Sequence, residues 1–473
     1  MRVFIVLPVK FAARDFLHTP VLKHLSDCKT SEITLFSQDI EDKDLIDRLG
    51  NAKIRWKRLN PPSQKLLWLR RIKGISIWKW IFYRIFSFWI RSRSGFGMLV
   101  YRFNHMHQFA GHVHKSKLPI KRKLREARAG NFVSSIYGFP FPKSQIIFKL
   151  LSKAYYSIWD ANLNVESLFN DEPPDLVVIT YPQHHRVRPY RLAALRRSIP
   201  QIAVIGSWDK LTTKGPLGPG FDTYIVGSQV MLRELRDFHD VSPSKVKVIG
   251  WPKMDFFCES DLFISRERFL QSIGIPSTHK MILFAGNSPR IGPGEPSIVD
   301  HMVRQLSAGI YGDLCSLAIR PHPKDHLWQV RFDRYGRHAN VHVFQPEHGR
   351  IDFLANLLLH CDVLVATQGS ICLDAIAMDT CVVNIGYDAV ELKNPAESVK
   401  NWYILDHFRT IVAYQATRIV ENHEELDAAI ACYLADPGKD KIARQKVRSE
   451  QLEPFDGHSS LRLVHAILGE EIQ

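Results

Sequence analysis

The stretch VLVATQGSICLDAIAMDTCVVNIGYD, residues 363–388, decides the fold. Its first four residues, Val363 to Ala366, are an unbroken apolar run, the composition of a strand buried on both faces. Gln368-Gly369-Ser370 then makes a tight turn into a helical segment, and a second apolar run, Cys381 to Ile385, follows. A strand, a helix and a strand at this spacing form a right-handed crossover between parallel neighbours.

The same alternation extends outward in both directions. Downstream of residue 255, strands are expected at Met281 to Phe284, Leu314 to Ile319, Val341 to Phe344, Val363 to Ala366 and Cys381 to Ile385, with helical stretches between them. Upstream, strands are expected at Val3 to Leu7, Ile33 to Phe36, Asp175 to Thr180, Ile202 to Ile205, Thr223 to Val226 and Val246 to Ile249. Helices near 15–25, 144–169, 188–198 and 229–238 separate these. The pattern restarts after GWPKMD (250–255), so the chain divides into 1–255 and 256–473. The expected fold class is α/β, with two Rossmann-like domains facing a cleft. Open parallel sheets bind ligands beyond the carboxyl ends of their strands, so function is sought in the loops that follow strands.

Composition sets the outer limits. With 473 residues, 45% hydrophobic and 23% charged, the chain is neither disordered, collagen-like nor a coiled coil, and it has room for two or three domains. Seven scattered cysteines, Cys28, Cys258, Cys315, Cys361, Cys372, Cys381 and Cys432, show no CxxC or Cys/His spacing suited to zinc and read as reduced thiols of a cytosolic protein. The opening MRVFIVLP leads at once into charged residues, so no secretory signal is expected.

The charge is concentrated in one place. Residues 53–128 hold 20 Lys and Arg against a single acid, Glu126, a local +19 in a chain of net +15, which leaves −4 for the remainder. Five of the ten tryptophans, Trp56, Trp68, Trp78, Trp80 and Trp89, lie in the same region. Its densest part, GISIWKWIFYRIFSFWI (74–90), is shorter than the roughly 20 apolar residues that span a bilayer and is broken by Lys79 and Arg84. A mostly helical, basic, Trp-rich insert over 57–130 is expected. It can lie in the headgroup plane of an anionic membrane, where each basic residue adds about 1 kcal/mol, or pack on the protein as a helical hairpin with solvated arginines. No recognisable nucleic-acid module accompanies it, so nucleic acid is not an expected partner.

Several loops could hold a ligand. Gly369 permits close backbone approach, and Ser370 can cap the following helix, whose N–H groups suit an anion, or donate to an oxygen. Asp374, one helical turn on, could accept from a ribose hydroxyl or sit solvated near the positive helix end. The loop RPHPKD (320–325) offers Arg320 and Lys324 to phosphate oxygens, while His322 could donate to a diphosphate, act as an acid, or serve as a structural hydrogen-bonder. A third loop, FAGNSPRIGPG (284–294), supplies Asn287, Ser288 and Arg290. Three phosphate-suited loops on one sheet edge point to a diphosphate-bearing ligand. None is a Walker A or GxGxxG sequence, so neither an ATPase nor an NAD enzyme is indicated.

In the first half, ITYPQHHRVRPY (179–190) and IGSWDKLTTKGPLGPGFD (205–222) follow consecutive strands. Asp209, His184 and His185 are candidate bases for deprotonating an acceptor hydroxyl, though Asp209 also fits a helix cap and the histidine pair a plain surface loop. Asp42 and Asp44 form a DxD at the start of an expected helix, where acidic caps belong, and no metal site is read there.

At RPHPKD, at DVLVATQGSICLDA (362–375), at SWDKLTTKG (207–215) and at the terminal FDGHSSLRLV (455–464), the chain resembles the two-Rossmann-domain (GT-B) glycosyltransferases. The likeness is to bacterial enzymes of surface-polysaccharide assembly and to CDP-glycerol glycerophosphotransferases. The resemblance implies a nucleotide-sugar or CDP-activated donor as substrate, with its diphosphate near Gly369, Ser370 and His322 and its ribose near Asp374. Donor contacts would come from Asn287, Ser288, Arg290, Arg320, His322, Lys324, Gln368, Gly369, Ser370 and Asp374, and catalytic groups from Asp209, His185, His184 and His322. It also implies a glycan or lipid-linked acceptor against the first domain, chemistry without metal or cofactor, and a terminal crossover helix. A cytoplasmic protein peripheral on the inner membrane face, held to anionic lipid through 57–130, follows from the insert. Two other functions share the architecture: a non-hydrolysing nucleotide-sugar epimerase and a non-catalytic polysaccharide-assembly scaffold.

Overall fold

The computed structural model describes residues 1–9, 16–28, 31–37, 54–59, 162–213, 217, 220–239, 241–346, 351–392, 398–403 and 405–469. Asp42, Asp44 and all but the first three residues of the expected insert 57–130 lie outside these. The chain forms two compact units, one holding residues up to Lys253 together with those from His458 onward, the other running from Met254 to Gly457.

The first unit is built on a seven-stranded sheet in the order β3-β2-β1-β4-β5-β6-β7. Its strands are β1 (Arg2–Leu7), β2 (Glu32–Ser37), β3 (Ile54–Arg58), β4 (Leu176–Ile179), β5 (Gln201–Ile205), β6 (Thr223–Val226) and β7 (Val246–Val248), and every pairing is parallel. Parallel strands covered on both faces should be apolar throughout, and Val3 to Leu7 are fully buried. Helices α1 (Val21–Asp27), α2 (Leu163–Asp171), α3 (Arg188–Arg196) and α4 (Gln229–His239) belong to this unit. So does the terminal helix, Ser459–Leu468: Leu463, Val464, Ile467 and Leu468 form one apolar face that shares a core with Val3, Ile5, Leu22 and Val178. Although it follows the second unit in sequence, its buried face packs in the first.

Strand β3 is an element the sequence reading did not expect. IRWKR opens the cationic stretch, yet it pairs in parallel with β2 as the sheet edge. Edge strands tolerate exposed Lys and Arg. Here Arg55 reaches Glu32 at 2.9 Å and Lys57 reaches Glu172 at 2.9 Å.

The second unit carries a six-stranded sheet in the order β10-β9-β8-β11-β12-β13, again wholly parallel. Its strands are β8 (Lys280–Ala285), β9 (Cys315–Arg320), β10 (Val341–Val343), β11 (Val363–Ala366), β12 (Cys381–Ile385) and β13 (Arg418–Val420). β13, three residues at the far edge, was also not anticipated. Helices α5 (Glu295–Ser307), α6 (Ile351–His360), α7 (Ile371–Ala377) and α8 (His423–Ala435) cover the sheet. Val299 and Met302 of α5 and Leu426, Ile430 and Tyr433 of α8 share one core with Ile282, Phe284, Val363 and Val365. Each fully buried side chain of this size contributes roughly 1.5–3 kcal/mol. In both sheets the strand order reverses beside the first strand of the unit, at β1/β4 and at β8/β11. Doubly wound sheets open a crevice for ligands at such a switch point.

Candidate functional site

The switch point of the second unit brings together three loops, those after β9, β8 and β11, because these strands are neighbours in that order. The ladder runs one step past the strands, with the Gly286 N–H donating to the Arg320 carbonyl at 2.9 Å. Beyond it, the Asn287 side-chain amide donates to the Thr367 hydroxyl and to the Gln368 carbonyl, both at 3.0 Å. One asparagine therefore joins the loop after β8 to the loop after β11.

Beneath this junction lies Glu295, the first residue of α5, only 1% exposed. Its carboxylate accepts from the Asn287 N–H on both oxygens at 2.9 Å, from the Thr367 hydroxyl at 3.1 Å and from Arg331 Nη2 at 3.0 Å. Arg331 is itself buried and donates to the carbonyls of Asn287 (3.0 Å) and Gly292 (2.6 Å) and to the Asp325 carboxylate. Asp325 in turn fixes the loop after β9, accepting from the Leu327 N–H at 2.9 Å while its own N–H donates to the His322 carbonyl at 2.7 Å. Burial pushes the Glu295 carboxyl up to about 7, against the opposing pull of Arg331 and its hydrogen bonds. Gly292 is needed for this approach: a Cβ there would lie 2.3 Å from the Glu295 carboxyl carbon.

Around this hub the expected donor residues distribute as follows. Asn287 and Gln368 touch, and the half-buried Ser288 follows directly, its carbonyl accepting from the Ile291 and Gly292 N–H groups in a tight turn. Arg290 and Lys324 are exposed, while Arg320 and His322 are half-buried. His322 Nδ1 accepts from the Lys324 N–H at 3.0 Å, which fixes the ring over its own loop. Gly369 has room for a side chain, with Ile371 4.0 Å from an added Cβ. Ser370 is exposed and makes no side-chain cap bond to α7, and its backbone is already helical. With no cap bond, its hydroxyl keeps the other expected option, donation to a ligand oxygen. Asp374 is buried, not solvated.

In the first unit, the candidates lie at the carboxyl ends of β4 and β5. Asp209 precedes the short helix Lys210–Thr213 and accepts from the hydroxyls of Ser207 (2.6 Å) and Thr213 (3.2 Å). His184 Nδ1 accepts from the Arg186 N–H, and its ring tilts against Tyr181 at 5.6 Å. His185 lies in the turn His185–Val187, and its side chain is outside what the structure describes. Lys210 is buried with its ammonium 4.4 Å from the Tyr181 ring centre. Burial and then the Asp209 charge push the Tyr181 hydroxyl up to about 12. Lys210, Gly206, Gly227, Gly250 and Trp251 are among the residues lining a cavity of about 40 Å³. Gly227 admits the Trp251 ring, 2.3 Å from where a Cβ would sit.

Glu295, Arg331 and Thr367 were not singled out from the sequence. The only local signal for Glu295 was an acid at a helix start after GPG, which the helix dipole explains equally well. Arg331 carries no local signal at all. Among the described residues, no group of three or more His, Cys, Asp or Glu side chains is placed to hold a metal ion, and no helix is long and apolar enough to cross a membrane.

No protein-family model and no curated protein sequence matches the chain. Solved structures do match. The S. aureus MnaA–UDP co-structure aligns with a TM-score of 0.52 at 12% identity, covering 100% of this chain and 99% of that one. The UDP-GlcNAc 2-epimerase from Neisseria meningitidis bound to UDP-GlcNAc aligns with a TM-score of 0.51 at 13% identity, covering 99% and 100%. A glycosyltransferase from Rickettsia africae aligns with a TM-score of 0.50 at 11% identity, covering 99% of each chain. At such identities the likeness establishes the fold, and the expected GT-B resemblance holds at that level.

Proposed function

We propose that the protein is a glycosyltransferase that moves a sugar, or a polyol phosphate, from a nucleotide-activated donor to a membrane-associated glycan or lipid-linked acceptor in surface-polysaccharide biosynthesis. The observation that carries this reading is the union of three phosphate-suited loops at the β8/β11 switch point through Asn287, Glu295 and Arg331. Such a reaction must neutralise a leaving diphosphate as its bond to the sugar breaks, and positioned cations and backbone dipoles do this most effectively in fixed geometry. Arg320, His322, Lys324 and the Gly369-Ser370 turn take that role in our reading. Asp374 takes the ribose, and Asp209, His184 or His185 takes the proton of the acceptor hydroxyl. The insert 57–130 holds the protein on anionic lipid at the inner membrane face.

An epimerase reading also has support, since one of the matched structures is a UDP complex and several are UDP-GlcNAc 2-epimerases. A thermal-shift panel with UDP, CDP and GDP tests the donor site, and stabilisation by none of them supports a non-catalytic scaffold. Incubation with UDP-GlcNAc alone then separates the two chemistries: isomerised sugar favours the epimerase, and UDP release only on adding acceptor favours transfer. Flotation with liposomes tests the membrane assignment, and equal recovery with and without anionic lipid overturns it.

A further inference from the structure

A buried charged hub lies under loops that an uncharged core could also support. Glu295 draws donors from three separate places: the Asn287 N–H after β8, the Thr367 hydroxyl after β11, and Arg331, which also grips Asp325 in the loop after β9. Replacing a buried ion pair by apolar side chains of similar volume is often neutral or stabilising. Fold stability therefore does not explain a fully buried carboxylate at this place. Geometry does, because the carboxylate and the guanidinium fork impose directions that apolar contacts lack. The Asn287 N–H is held on both carboxylate oxygens, the Asn287 carbonyl on Arg331, and the Asn287 side chain on Thr367 and Gln368. Both backbone polar groups of this residue are thereby directed by the hub, and its side-chain N–H groups by the neighbouring loop. Gly292 keeps the space that lets Glu295 reach it.

We infer that Glu295, acting with Arg331, is a positioning residue that fixes the mutual spacing of the three switch-point loops for a nucleoside diphosphate, so that losing it weakens capture of the diphosphate and leaves capture of the nucleoside unchanged. The inference rests on the donor-site reading given above. It deepens that reading by naming the group that sets the phosphate geometry without touching the ligand. Loops held in their binding geometry before the ligand arrives spare it the ordering cost, and that saving falls only on the part of the ligand the loops contact.

Isothermal titration of the full chain with UDP, CDP and GDP, and with uridine, cytidine and guanosine, tests this. In Glu295→Gln, affinity for the best of the three diphosphates falls about tenfold or more, while affinity for its nucleoside changes less than about twofold. Thr367→Val keeps the shape but removes one donor to the carboxylate and one acceptor of the Asn287 amide, and gives a smaller loss, about threefold to fivefold, with the same selectivity. Glu295→Asp, which keeps the charge but shortens its reach, falls between wild type and Glu295→Gln. Unchanged diphosphate affinity in folded Glu295→Gln and Thr367→Val overturns the inference, as does an equal fall for nucleoside and diphosphate, which marks a purely structural role. Should Glu295→Gln not fold, Thr367→Val decides. Wild-type protein that binds none of the three diphosphates overturns the donor-site reading itself, a result distinct from either of these.

Discussion

Replacing Arg331 by Met strips the hub of its only guanidinium while keeping an unbranched side chain of similar length. In the native structure this side chain serves four acceptors: the Glu295 and Asp325 carboxylates and the carbonyls of Asn287 and Gly292. The two carboxylates are 1% and 0% exposed, so without Arg331 they become buried charges lacking their cation. Hydrogen bonds to charged partners are each worth about 1.5–3 kcal/mol and those to carbonyls about 0.5–1.5, which bounds the loss from above. Breaking a buried pair by removing one partner costs about 3–5 kcal/mol in practice, because it leaves an uncompensated buried charge. We therefore expect β8 to lose about 3–5 kcal/mol of local stability at pH 8. Amide hydrogen exchange in Met281 to Ala285 reads this directly, as exchange faster by about two to three and a half orders of magnitude. At pH 5.5 the loss is smaller, since below about 7 the Glu295 carboxyl already holds a proton and leaves no stranded charge of its own. A loss below about 1 kcal/mol at pH 8, or the same loss at both pH values, refutes the argument.

Other expectations follow from the same structure. The Glu295 carboxyl titrates near 7 in the folded protein against an ordinary 4.5, so the folded state holds that proton more tightly than the unfolded state. Its contribution to stability is fully present below 4.5 and is lost as pH rises through 7, a fall of about 3 kcal/mol. Denaturant unfolding of wild type against Glu295→Gln, from pH 5 to pH 8, isolates that fall from all other groups, and a pH-independent difference contradicts it. Gly227→Ala places a Cβ inside the Trp251 ring and should destabilise the first unit by about 1–3 kcal/mol, read as a melting temperature lower by several degrees. Asp427 accepts from His301 at 2.9 Å and from the Tyr311 hydroxyl at 2.6 Å. Asp427→Ala should therefore cost about 1–3 kcal/mol by stranding both donors, measured by chemical unfolding.

The strand–helix alternation was legible because it is local. Apolar runs such as Val3–Leu7, Val363–Ala366 and Cys381–Ile385 specify buried parallel strands whatever surrounds them, and loops after such strands are where ligands of this fold class bind. The short edge strands β3 and β13 escaped notice because an edge strand need not be apolar and a strand of three residues has almost no period. Whether Ser370 caps α7 and whether Asp374 is solvated depend on how α7 packs, and that packing is not local.

By itself the sequence determined the two parallel α/β halves and most of the strands after which loops are candidates for a ligand. Only the tertiary structure decided that β8 lies between β9 and β11, that Asn287 bridges to Gln368, and that Glu295 and Arg331, 36 residues apart, form the hub beneath them. It also shows which core the terminal helix joins. The physical reason is one of range. Hydrophobic period and turn chemistry act over a few neighbouring residues, whereas the pairing of a buried carboxylate with its guanidinium depends on strand order, which is fixed by burial across the whole sheet.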